Sequence, residues 1–92
     1  MKIFIIAGED SGDKLGSAII DSLRVSLDTI PIFVGIGGIG MTRRGVSSIF
    51  PLSELSVMGF TQIASQYNKL RKRLDQTVSA IIDEQPDILL TI

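Results

Sequence analysis

The chain has 92 residues, a mass of 10.0 kDa and a formal net charge of −1. It is 45% apolar and 21% charged, which excludes a disordered chain, allows one small domain and gives no global basic field to recruit nucleic acid. It has no Cys and no His, which excludes a disulfide scaffold, a thiol nucleophile, a zinc site ligated by either residue and an imidazole general base.

Any chemistry here therefore falls to carboxylates, hydroxyls, Lys, Arg or backbone N–H groups. The apolar run Ile3 to Ala7 is too short for a secretory signal, and no stretch approaches the roughly 18 apolar residues of a membrane span. The cytoplasm is the expected compartment.

Lys2-Ile3-Phe4-Ile5-Ile6-Ala7 reads as a strand apolar on both faces, as at the centre of a covered parallel sheet. Gly8 to Gly12 is turn chemistry, with Asp10 or Ser11 expected to cap a helix over residues 12–27. Leu15, Ile19, Leu23 and Leu27 fall four apart, with Ala18 and Ile20 beside them, and predict its buried stripe. Pro31 prevents continuation, and Ile32 to Ile36 is a second buried strand. Strand, glycine turn, helix and strand make a βαβ unit.

Gly37-Gly38-Ile39-Gly40 is a flexible turn, Met41 to Arg44 a short helix, and Gly45 a left-handed stop. Val46 to Phe50 predicts a short strand broken by Pro51. Ser53 and Glu54 open a turn or short helix through Val57, and Gly59 is a hinge. A long helix over 60–84 follows from Phe60, Ile63, Tyr67, Leu70, Leu74, Val78, Ile81 and Ile82, a stripe expected to pack on the sheet. Pro86 closes it, and Asp87 to Ile92 predicts another buried strand. Ending there, the chain reads as the N-terminal piece of a longer protein.

Three segments could carry chemistry. Gly8-Glu9-Asp10-Ser11-Gly12-Asp13 lies at the carboxyl end of the first strand, where the next helix turns its unpaired N–H groups. Its carboxylates repel phosphate and suit sugar hydroxyls; equally, the segment is a tight turn with a cap. Gly35-Ile36-Gly37-Gly38-Ile39-Gly40 has G-x-G-x-x-G spacing but follows the second strand and opens no full helix, so it is a poor dinucleotide fingerprint. Ser53 to Phe60 is an apolar lead-in to a helix bearing Lys69, Arg71, Lys72 and Arg73. That combination suits an anionic membrane surface or, more plainly, a core stripe with a solvated basic face. Without His, no nucleophile–base pair assembles.

Together these segments resemble the lipid-A-disaccharide synthase family. Ala7 to Gly16 resembles its A-G-E-x-S-G-D-x-x-G opening, and Phe33 to Met41 its F-x-G-I-G-G-x-x-M segment. Glu54 to Gly59 resembles its E-L-x-V-M-G segment, and residues 77–92 the stretch leading to its I-D-x-P-D-F motif. All four keep order and spacing.

The resemblance implies an α/β, Rossmann-like parallel sheet: the N-terminal part of the first, acceptor-side domain of a GT-B glycosyltransferase, with the remainder and a second domain absent from residues 1–92. It implies an inverting enzyme without a bound metal or other cofactor. That enzyme joins UDP-2,3-diacylglucosamine to 2,3-diacylglucosamine 1-phosphate and releases UDP.

By match to the motifs, Gly8, Glu9, Ser11, Gly12, Asp13, Gly37 and Gly38 are the expected substrate-binding residues. Met58, Phe60 and Ile63 are the expected membrane-facing ones, at the cytoplasmic face of the inner membrane; Thr61, Gln62, Ser65 and Gln66 beside them are polar. The family's candidate catalytic Asp falls just after Ile92, so no catalytic residue is expected within the chain, and the chain alone is expected to be inactive. The competing readings are a nucleotide- or dinucleotide-binding module using the 35–40 loop, and a fragment with no activity.

Overall fold

A computed structural model describes residues 1–55 and 65–92. The chain forms β1 (Lys2–Ile6), α1 (Asp10–Ser26), β2 (Ile32–Ile36), α2 (Ile39–Arg43), β3 (Ser47–Ser48), a 3-10 turn (Leu52–Glu54), α3 (Tyr67–Glu84) and β4 (Ile88–Thr91). The four strands form one sheet in the order β3-β2-β1-β4, and every pairing is parallel. This is the α/β architecture read from the sequence. Met58, Gly59, Phe60 and Ile63 lie outside the described residues, as does the expected helical lead-in over 60–64.

β1 is central because it is apolar on both sides, and it pairs with β2 on one edge and β4 on the other. Ile3, Ile5 and Ala7 enter the core with Ile20, Phe33, Ile36, Met41, Val46, Phe50 and Leu52. Phe4 alternates away from Ile3 and Ile5 and is also fully buried. By the right-handed rule for parallel crossovers, the strand order β3-β2-β1-β4 assigns α1 and α3 to opposite faces of the sheet, the doubly wound arrangement.

Several elements depart from expectation. The helix α1 begins two residues early, at Asp10. Its N-cap position is Glu9, and no side chain caps it. Its buried face is Gly12, Asp13, Gly16, Ser17 and Ile20, while Leu15 is 55% exposed. Small residues take that face because α2 and the sheet come close: a Cβ on Gly16 would stand 2.7 Å from Met41 Sδ.

β3 shrinks to two residues because Val46 and Phe50 turn into the core, and Ser48 Oγ donates to the Phe50 carbonyl at 2.6 Å. The α3 stripe is not buried: Tyr67, Leu74, Val78 and Ile82 are exposed, and Thr77 is the buried residue. Nor is β4 a buried strand. It pairs with β1 alone among the described residues, and Ile88 and Leu89 are nearly half exposed. Gly45, at φ +94°, is the left-handed stop expected.

Candidate functional site

Because the strands are parallel, their carboxyl ends share one rim. Ile6 lies level with Ile36 on one side and Thr91 on the other. Two further bonds carry the ladder outward: Ala7 N–H donates to Ile36 O, and Ile92 N–H to Ile6 O, both at 2.9 Å. The β1–α1 loop and the 37–38 loop therefore leave the sheet side by side. The chain reverses its direction of winding between β1 and β4, and crevices at such points are where open α/β sheets bind ligands.

Two hollows open on this rim. A small one of about 190 Å3, beside the β1–β4 seam, is lined by Glu9, Ser11, Gly12, Leu15 and Ile92. Ser11 Oγ donates to Glu9 Oε1 at 2.7 Å, so the two polar groups stand as an exposed pair. A Cβ on Gly8 would meet nothing within 4 Å, which leaves room for close approach there. A wider trench of about 650 Å3 lies on the β2 side. Gly37, Gly38, Ile39 and Thr42 form one wall, Ser48 to Ser53 the other, and Asp10 reaches in from α1.

Between the hollows stands Asp13, only 8% exposed. Gly38 and Met41 N–H donate to its Oδ1 at 2.8 and 2.9 Å, and Gly40 N–H to its Oδ2 at 2.9 Å. Burial pushes its pKa up, but the N–H bonds from Met41, Gly40 and Gly38, with the Arg44 charge, outweigh this and hold it below the ordinary 3.8. Ser48 Oγ accepts from Gly37 N–H at 3.1 Å, fixing the loop from the other side. Arg44 donates to the Gly40 carbonyl at 3.0 Å and pairs with Asp21.

The structure thus brings Gly8, Glu9, Ser11, Gly12, Asp13, Gly37 and Gly38 to one rim but divides them. Glu9, Ser11 and Gly12 line the small hollow, and Gly37 and Gly38 the trench, while Asp13 is turned inward between them. This division bears on the 35–40 loop. Three of its N–H groups, those of Gly37, Gly38 and Gly40, and that of Met41 just after it, already have side-chain acceptors. A phosphate cradle needs such groups turned outward. The dinucleotide reading is not favoured.

Sequence reasoning missed the partners of Asp13 and the role of Ser48. The available signal was the run of Gly12, Asp13, Gly16 and Ser17 at helical spacing, a small-residue face carrying one acid.

The far wall of the trench is held by α3. Glu54 bridges Lys69 and Arg73, and the Arg73 guanidinium lies 5.2 Å from the Phe50 ring centroid. The Lys69 hydrogen bond, together with the charges of Lys69 and Arg73, outweighs the effect of burial and lowers the Glu54 pKa. Among the described residues, no helix is long and apolar enough to cross a membrane.

A family profile described as lipid-A-disaccharide synthetase matches residues 3–92. Among curated relatives, the lipid-A-disaccharide synthase of Granulibacter bethesdensis is 49% identical over 90 residues, which is 98% of this chain and 23% of that protein. That of Nitrobacter winogradskyi is 45% identical and that of Nitrobacter hamburgensis 43%, each over 91 residues, 99% of this chain and 23% of the relative. The chain spans about a quarter of the length of these relatives.

Proposed function

Because the chain belongs to the lipid-A-disaccharide synthase family, we propose that it is the N-terminal, acceptor-side part of a glycosyltransferase of that activity. The donor is UDP-2,3-diacylglucosamine and the acceptor 2,3-diacylglucosamine 1-phosphate. The acceptor's 6-hydroxyl loses its proton to a carboxylate, and its oxygen attacks the donor's anomeric carbon. The bond from that carbon to the UDP oxygen breaks with inversion, and UDP leaves with the electron pair. In the family that carboxylate falls just after the position of Ile92. Residues 1–92 therefore bind and orient, and are inactive alone.

The observation that supports this reading best is the shared rim. An exposed Glu9–Ser11 pair stands at the winding reversal, next to a trench walled by glycines and by Ile39, Phe50 and Leu52. A hydroxyl-rich sugar suits the first hollow and its acyl substituents the second. Gly8 and Gly12 let the sugar approach the backbone, and Gly37 and Gly38 form the trench wall. Met58, Phe60 and Ile63 face the anionic inner membrane, where the enzyme sits peripherally in the cytoplasm.

The test is transfer by a full-length synthase carrying these 92 residues. Glu9→Gln with Ser11→Ala should lower kcat/KM by about tenfold to a hundredfold, the worth of one or two hydrogen bonds to a charged group. Unchanged kcat/KM in the double variant would remove the sugar from this hollow.

A further inference from the structure

Three N–H groups of the glycine loop converge on one point, and a side chain of the same chain occupies it. Gly38, Gly40 and Met41 give Asp13 the set of donors by which strand-to-helix loops usually grip an anion. The loop's composition follows from that occupant. A Cβ on Gly38 would stand 2.9 Å from Asp13 Cγ; one on Gly40 would stand 2.5 Å from Ser17 Oγ and 3.0 Å from Asp13 Oδ2. Gly38 therefore makes room for the carboxylate, and Gly40 for the Ser17 hydroxyl and the carboxylate together.

The same residue is tied to the first hollow. Asp13 N–H donates to the Glu9 carbonyl at 3.1 Å in the first turn of α1, and Ser17 Oγ donates to the Asp13 carbonyl at 2.7 Å. One buried residue thus holds the turn that carries Glu9 and Ser11 by its backbone and the wall that carries Gly37 and Gly38 by its side chain.

We propose that Asp13 is a positioning residue of the glycosyl-transfer site. It is an internal anion that holds the two hollows in register and fills the place a substrate phosphate would otherwise take. The inference rests on the family reaction proposed above. Asp13 touches no substrate and acts through the loop it holds.

The test uses a full-length synthase carrying these residues, with Asp13→Asn, Gly38→Ala and the double variant. Asparagine keeps the shape but offers one acceptor oxygen and an opposing NH2 to three donors. Gly38 has φ −95°, so alanine is not strained there and its lesion is the contact with Asp13. With 15N-glycine labelling, the amide resonances of Gly38 and Gly40 should move upfield in Asp13→Asn while that of Gly8 stays. In both single variants kcat should fall by about a hundredfold, the scale of a misplacement of about 1 Å, with the donor KM unchanged. The double variant should be no worse than the poorer single one, because both break one contact.

Unmoved glycine resonances would overturn the clamp. Full kcat in Asp13→Asn, or a kcat loss that disappears once temperature is lowered to restore the folded fraction, would reduce Asp13 to scaffold. A wild-type protein with no glycosyl transfer would instead overturn the family reaction, and the positioning role with it.

Discussion

The two faces of the sheet are held by different means. Behind the α1 face, contact is close and made by small groups: Gly12 against Ala7, Gly16 against Met41 and Ile92, and Gly40 against Ser17. On the α3 face, long polar side chains do the tying. Lys2 pairs with Glu84 at 3.0 Å, Arg73 reaches Glu54 at 3.4 Å, and Tyr67, Leu74, Val78 and Ile82 stay exposed. The candidate site residues sit on the close-packed side. A constellation that must hold a sugar in register belongs where backbones touch, because such contacts leave no side-chain freedom to absorb a shift.

The sharpest way to break that contrast is at Gly35. It has φ +145°, and a Cβ there would lie 1.9 Å from the Ile5 carbonyl oxygen. The obstacle is the backbone of the central strand, which cannot yield without losing the β1–β2 register. Gly35→Ala should cost more than about 4 kcal/mol, the range reserved for strain and overpacking in the core. Equilibrium denaturation reads this directly, and a loss under about 1 kcal/mol would mean the β1–β2 seam beneath both faces yields more than that contact allows.

Gly16 tests the α1 face itself, and more gently. The group a Cβ would meet there is the Met41 thioether, the end of a flexible side chain. Gly16→Val should therefore cost about 1–3 kcal/mol, the usual overpacking range. Leu15→Ser, one residue away and exposed, should stay within about 0.5 kcal/mol. The pair inverts what hydrophobic spacing alone would predict.

That inversion shows where sequence reading ran out. The β1 and β2 strands were legible almost to the residue, because continuous β-branched runs end there at Gly8, Pro31 and Gly37. The Gly45 stop and the end of α3 before Pro86 were legible for similar local reasons. The buried side of α1 was not. Leu15, Ile19, Leu23 and Leu27 mark a stripe, yet the helix approaches the sheet and α2 on its glycines, which carry no hydrophobic signal. The shared rim followed from strand order and parallel sense. The Asp13 clamp did not, because its partners lie 25 to 28 positions away and meet only once the βαβ unit has closed.

Acid titration separates the two faces by solvent access. Both Asp13 and Glu54 have lowered pKa values when folded, so each stabilises the fold above its unfolded value, 3.8 and 4.5 respectively. Each contribution is lost as pH falls through the lower folded value. Asp13 is held by buried N–H groups, so its acid loss should survive 1 M salt, where the screening length falls to about 3 Å. Glu54 is held chiefly by Lys69, whose side chain is 53% exposed, so its share should shrink. Urea midpoints between pH 5 and pH 2.5, at low and high salt, should show Asp13→Asn removing the salt-resistant part of the slope and Glu54→Gln the salt-sensitive part. A wholly salt-sensitive slope would contradict the buried clamp.

The smallest effect belongs to the exposed side of α3. Leu74 and Val78 are 59% and 47% exposed, so replacing them with polar residues removes little buried area. The helix keeps its attachment through the ion pairs Arg73–Glu54 and Lys2–Glu84 and through the buried Thr77. Leu74→Gln with Val78→Gln should therefore shift stability in the isolated chain by no more than about 0.5 kcal/mol per site. The same double change should leave the Gly38 and Gly40 amide resonances where they are, because the glycine loop is fixed from α1 and β3. A loss of several kcal/mol, or movement of those glycines, would show that the two faces share one cooperative core and that α3 packs more tightly than its exposed leucine and valine indicate.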